Sequence, residues 1–151
     1  MQPRDRDHGL KELNGRQDAG GKAKNPSEFQ LLSCKRASSV IGAAKISTHL
    51  CCYGKLVHSG VIIAILEELM SRTARAFLKG APHSTQMNFA FMKPLENTGT
   101  LKAEGRILNV GESGALGLTT IEGVIMNSRK EVAVRSTSEW IVEPPSACDG
   151  P

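Results

Sequence analysis

GKLVHSGVIIAILEELMSRTARAF, Gly54 to Phe77, is a long and mostly apolar run that carries two adjacent acids, Glu67 and Glu68, near its middle. From Ser59 onward the apolar residues fall on nearly every side of a helical wheel, and a helix that is hydrophobic all round is a buried one. The stretch therefore predicts a long central helix. Its end is expected at KGAPHS, where Gly80 can take a left-handed cap and Pro82 forbids continuation.

Beyond the helix the apolar period changes from 3.6 to 2. STQMNFAFMKP places Thr85, Met87, Phe89 and Phe91 on one face and stops at Pro94. TGTLKAEGRILNV sets Leu101, Ala103, Gly105 and Ile107 against Lys102, Glu104 and Arg106. GESG turns into ALGLTTIEGVIM, and NSRK turns into EVAVRSTSEWIVEPP. Four strands in succession joined by turns predict an antiparallel meander.

On the other side of the run, SEFQLLSCKRASSVIGAAKIST could hold a short helix and then an edge strand around Val40 to Ser47. Residues 1–26 are polar and without period, and are expected to be a disordered leader. The folded domain is then 27–143, with a short tail at 144–151. A sheet that must bury a greasy helix has to curl around it. Strand, long helix, then several strands is the element order of an α+β hot-dog fold.

The chain has 151 residues and a formal charge of +4, with 40% apolar and 4% aromatic residues. That is the size of one soluble domain with an aliphatic core. The basic excess suits an anionic ligand but does not require one. No basic run is interleaved with aromatics, which argues against nucleic acid, and no run is long and charge-free enough for a membrane span. Cys34, Cys51, Cys52 and Cys148 form no C-x-x-C pair, and adjacent Cys51 and Cys52 are a poor disulfide geometry. Free thiols point to an intracellular, reducing compartment, cytoplasmic or mitochondrial. His8, His49, His58 and His83 never share metal-ligand spacing, so no metal is expected.

The two acids differ in their neighbours. Glu68 has Arg72 one turn later in the favourable order, a surface pair worth about 0.2–0.5 kcal/mol. Glu67 shares its stripe with Gly60, Ala64, Ser71 and Ala74, all small and none basic. A carboxylate without a partner on a core helix is costly, unless it packs across an interface or works as a general base or nucleophile beside a bound ligand. Small residues follow His58 where the first helical turn begins, and the unpaired N–H groups of that turn can hold a developing oxyanion. An N–H trap followed by an acid one or two turns along is a workable hydrolase arrangement.

HSGVIIAILEE resembles the H-G-G-[VIL]-x-x-x-L-x-[DE] signature of hot-dog acyl-CoA thioesterases of the phenylacetate and hydroxybenzoyl-CoA type. The strands from Ser84 to Gly111 and the hairpin from Ile121 to Glu143 are similar to that family's later elements. The resemblance implies Glu67 as the catalytic acid, with the Ser59 N–H polarising the thioester carbonyl. It also implies His58 and Gly60 as the family's histidine and second glycine, and Ser84 as a residue positioning the attacking water. Ala64, Ser71, Asn88 and Cys52 would border the substrate. Lys93, Arg106 and Arg129 are candidates to meet the coenzyme A moiety, which belongs to the substrate; no separate cofactor is implied. The implied assembly is a homodimer or homotetramer with active sites between chains. Two departures stand out: Ser59 replaces the first glycine, and Cys52, or Cys51 if the loop carries an insertion, stands where an amide is expected. They leave open a second reading, a weak or inactive hot-dog protein that binds acyl-CoA or serves as a structural subunit. A hydratase is disfavoured, since no G-D-x-N-P-x-H type motif is present.

Overall fold

The computed structural model describes residues 30–111 and 117–143. The expected leader at 1–26 and tail at 144–151 lie outside the described residues. The elements are β1 (Gln30–Lys35), β2 (Ser39–Lys45), β3 (Cys51–Cys52), β4 (Leu56–Val57), α1 (Ser59–Phe77), β5 (Ala81–Phe91), β6 (Thr100–Asn109), β7 (Thr119–Met126) and β8 (Val132–Glu143). Six strands form one antiparallel sheet in the order β1-β2-β6-β7-β8-β5, while β3 and β4 make a small separate hairpin.

The sheet departs from the sequence expectation in two places. The segment read as a short helix is the strand β1, with Leu31 turned into the core, so β2 is an inner strand rather than an edge. The alternation there was too weak to read because Arg72 of α1 does part of the work, donating to Leu31 O at 2.9 Å and Ser33 Oγ at 3.0 Å. Secondly, only β6, β7 and β8 form a meander. β5 does not neighbour β6; it closes the sheet on the far side of β8, from Ala81 opposite Glu143 to Phe91 opposite Val134. A register shift between Ser84 and Gln86 takes Thr85 out of the alternation, so Ser84, Met87 and Phe89 share the inner face.

α1 lies across the inner face, and small residues let it come close. The paired row Val40, Gly105, Gly123, Ser136 and Phe89 crosses five strands beneath it. A Cβ at Gly105 would collide with Thr73 Oγ1, and one at Gly123 would sit 3.1 Å from both Leu66 Cδ2 and Met70 Cγ. Leu66, Leu69 and Met70 fill the space, each fully buried. Thr73 satisfies its buried hydroxyl by donating to Leu69 O at 2.8 Å.

The helix is not buried all round, as its composition suggested. Ile62, Ile65, Leu66, Leu69, Met70, Thr73 and Ala74 are buried, whereas Gly60, Ile63, Glu67 and Arg75 are exposed. One sheet covers only one side of a helix, and nothing among the described residues covers the other. Its C-terminus also differs from expectation. The cap is Leu78, extended at φ −100° with its N–H on Ala74 O at 2.8 Å, and Gly80 at φ +99° lies two residues further on. Gly80 is required there for a second reason, since a Cβ would lie 2.7 Å from Val142 Cγ1. Lys35 completes the end by donating to Ala76 O at 2.8 Å, with its ammonium 4.7 Å from the Phe77 ring centre.

Candidate active site

The helix start is built by a tight local fold. Tyr53 (φ 45°) and Gly54 (φ 82°) turn β3 back into β4, pairing Cys51 with Val57 and Cys52 with Leu56. The His58 N–H then donates to Leu50 O at 2.9 Å, which fixes the residue before the helix. His58 is the N-cap, and its Nδ1 accepts from the Gly60 N–H at 3.0 Å. A neutral ring in this bond carries its proton on Nε2. Gly60 is needed for the approach, because a Cβ there would sit 3.1 Å from that Nδ1.

This cap decides which amide is left over. A helix begins with four N–H groups that lack intrahelical partners. The Gly60 amide is taken by the His58 ring, and those of Val61 and Ile62 both go to His58 O, at 3.0 and 3.2 Å. With the His58 N–H on Leu50 O, the Ser59 N–H is the one amide at the helix start that keeps no acceptor among the described residues. The positive end of the helix dipole is thereby presented through one exposed donor.

Glu67 stands exposed on the open side of α1 and makes no hydrogen bond or ion pair among the described residues. Glu68 behaves as its spacing required, with Arg72 Nε 2.8 Å from its Oε1. Since Arg72 also binds β1, the Glu68 flank of α1 is turned toward β1 and the Glu67 flank toward β5. On the open side Ala64 and Ser71 are half-buried, and Arg75 donates from Nη2 to Ser71 Oγ at 2.8 Å and from Nε to Ser71 O at 3.3 Å. On a helical wheel Arg75 also falls in the stripe of Glu68 and Arg72, but its i+4 spacing from Ser71 is the relation that the structure uses.

One expectation about geometry has to be revised. Ser59 and Glu67 are eight residues apart, about 12 Å along the axis of one α-helix. A single chain cannot bring that N–H and that carboxylate to the same carbonyl, so an N–H trap and an acid on one helix do not form a site by themselves. The other predicted residues are scattered. Ser84 is half-buried on the inner face of β5, opposite Trp140, whereas Asn88 pairs with Thr137 and is exposed on the outer face, away from α1. Cys52 is half-buried in the hairpin before the helix. Cys34, Cys51 and Cys52 are all free thiols. Of the cations suggested for coenzyme A, Lys93 is 2.7 Å from Glu131, and Arg106 is held by Glu122 through Nε at 2.7 Å and Nη2 at 2.6 Å. Arg129 stands exposed in the turn between β7 and β8.

No family model matches the chain, and no curated protein matches it. Solved structures do. A hypothetical thioesterase from Streptococcus pneumoniae, solved with coenzyme A, superposes with a TM-score of 0.63 at 14% identity, over 77% of this chain and 86% of its own. A thioesterase superfamily protein from Shewanella loihica gives 0.63 at 17% identity, over 76% and 91%. A phenylacetic acid degradation-related protein from Ralstonia eutropha gives 0.63 at 16% identity, over 81% and 94%. The chain has the hot-dog fold. In this hot-dog domain the helix is the filling and the six strands the wrapping, and no helix among the described residues is long and apolar enough to cross a membrane.

Proposed function

We propose that the protein is an acyl-CoA thioesterase that adds water to the thioester carbonyl of a fatty or aromatic acyl-CoA, releasing the free acid and coenzyme A. The observation that carries this reading is Glu67, an acid that has no partner among the described residues, on the open side of a hot-dog helix. In this reading Glu67 is the base or nucleophile, and the Ser59 N–H stabilises the oxyanion. Fold neighbours that include a thioesterase solved with coenzyme A support the substrate class.

The 12 Å gap within one chain is resolved by two antiparallel helices. If Glu67 of one copy meets Ser59 of another, the two-fold axis passes midway between them, at Ile63. That residue is the exposed large apolar side chain of α1, at 37% exposure, and Gly60 and Ala64 beside it leave room for close approach. Each dimer then has two sites, and neither is complete in a single chain.

The test is a panel of acyl-CoAs offered to the purified protein and to Glu67→Gln. Loss of a positioned base predicts a fall in kcat/KM of about 10²-fold or more; equal hydrolysis by both proteins removes Glu67 from the mechanism. Ile63→Cys tests the geometry, since oxidation should yield a covalent dimer across the axis. A second reading, acyl-CoA binding with little turnover, draws on Cys52, whose thiol stands where the family pattern has an amide to hold water. Calorimetric binding of acyl-CoA without release of free thiol would select it.

A further inference from the structure

Resting on the thioesterase reading, we infer that this site prefers acyl groups that end in a second carboxylate, and that Arg75 is the residue that selects them. Glu67, Ser71 and Arg75 follow one another at four-residue steps, so they form a single ridge on the open side of α1. Arg75 is exposed and has no carboxylate partner among the described residues, unlike Arg72 one turn away, which is committed to Glu68 and β1. Its guanidinium is not free to wander. It is folded back one turn onto Ser71, through Nη2 on Oγ at 2.8 Å and Nε on the carbonyl at 3.3 Å.

That placement leaves Nη1 without a partner among the described residues and holds the positive charge about 6–12 Å along the axis from Glu67, one to two helical turns. In the proposed antiparallel pair, the same stretch of α1 would run past the segment that precedes the second copy's helix. An acyl chain laid along the ridge from Glu67 meets the Ser71 hydroxyl and then the guanidinium held on it. A planar guanidinium recognises a carboxylate in a directional, charge-assisted way. A plain hydrocarbon tail gains nothing from it, and must leave the arginine's hydration shell disturbed.

Non-hydrolysable thioether analogues of octanoyl-CoA and suberyl-CoA, equal in chain length, isolate the effect from turnover. Calorimetry on the full-length protein should show the suberyl analogue binding about tenfold more tightly, the scale of one partly exposed charge-assisted contact. Arg75→Gln should bring the two analogues to the same affinity, and Arg75→Lys should restore part of the difference. Equal affinities in the wild type, or no binding of either analogue, overturn the inference. So does a preference that survives in Arg75→Gln, or a loss in that variant shared by both analogues and free coenzyme A, which would assign Arg75 to the phosphates. Failure of the protein to hydrolyse any acyl-CoA would sink the thioesterase reading while leaving this comparison of affinities intact.

Discussion

On its sheet side α1 presents Ile65, Leu66, Leu69 and Met70, fully buried against glycines and serines of the strands. On its open side it presents Gly60, Ile63, Glu67 and Arg75, exposed and with few contacts. The same 19 residues therefore answer to two selections. One side is fixed by volume, because a close-packed core feels the loss or gain of a single methylene. The other side is free of that constraint, and it is where, among the described residues, an acid without a partner and an arginine bonded only to Ser71 of its own helix occur. Stability should thus be lost on one side and function on the other.

Leu69→Ala gives the largest expected effect on stability. The side chain is fully buried and packs beneath Gly42 and Gly105, so truncation should cost about 2–5 kcal/mol in denaturant unfolding. Glu67→Gln or Ile63→Ala on the open side should change the unfolding free energy of the monomer by less than about 0.5 kcal/mol. If the open-side variants cost as much as Leu69→Ala, the contrast between the faces fails. Gly105→Ala comes next. Its methyl must push Thr73 Oγ1 from a place held by the bond to Leu69 O, an overpacking cost of about 1–3 kcal/mol. Combining it with Thr73→Ala, which removes the obstructing hydroxyl, should cost less than the sum of the two single changes.

The two faces were not equally readable in the sequence. Sheet-side residues announced themselves through period and bulk: the alternation Leu101, Ala103, Gly105, Ile107 in β6 is the one the strand shows. The pairing of β5 with β8 could not be read, because a strand's alternation states which face is apolar and not which neighbour it has. β1 was missed because a six-residue edge strand fastened by Arg72 needs little hydrophobic pattern of its own. The spacing rule placed Glu68 with Arg72 on the flank beside β1, and Glu67 has no partner among the described residues. Composition misled in one respect. Val61, Ile63 and Ala64 make the helix look apolar all round, yet among the described residues Val61 packs at the edge of the core, Ala64 is half-buried and Ile63 faces outward, an exposure that suits a surface covered only on assembly.

A smaller effect tests how α1 is tied to β1 at its flank. Arg72→Ala removes the pair with Glu68 and two bonds to β1, all half-exposed, so the loss should be about 1 kcal/mol. Hydrogen exchange should localise it: faster exchange in β1, with β6 and β7 unchanged. A uniform change across the sheet would mean that the flank is part of the core.

The smallest expected change has the opposite sign, and it sharpens the account of the buried side. Ser136 and Ser138 both point from β8 under the helix, each 1% exposed. Ser138 Oγ accepts from Trp140 Nε1 at 2.6 Å and can donate to Ile121 O at 3.3 Å, so its polarity is satisfied. Ser136 Oγ has no hydrogen-bond partner among the described residues. Removing a satisfied hydroxyl strands the indole N–H and should cost about 1–3 kcal/mol, whereas removing an unsatisfied one relieves a desolvation penalty and leaves only a small void. Ser138→Ala should therefore lower the melting temperature, and Ser136→Ala should leave it level or raise it by a few degrees. If Ser136→Ala instead destabilises as much as Ser138→Ala, its hydroxyl has a partner, and the sheet side of α1 is not the dry, volume-limited surface that its packing describes.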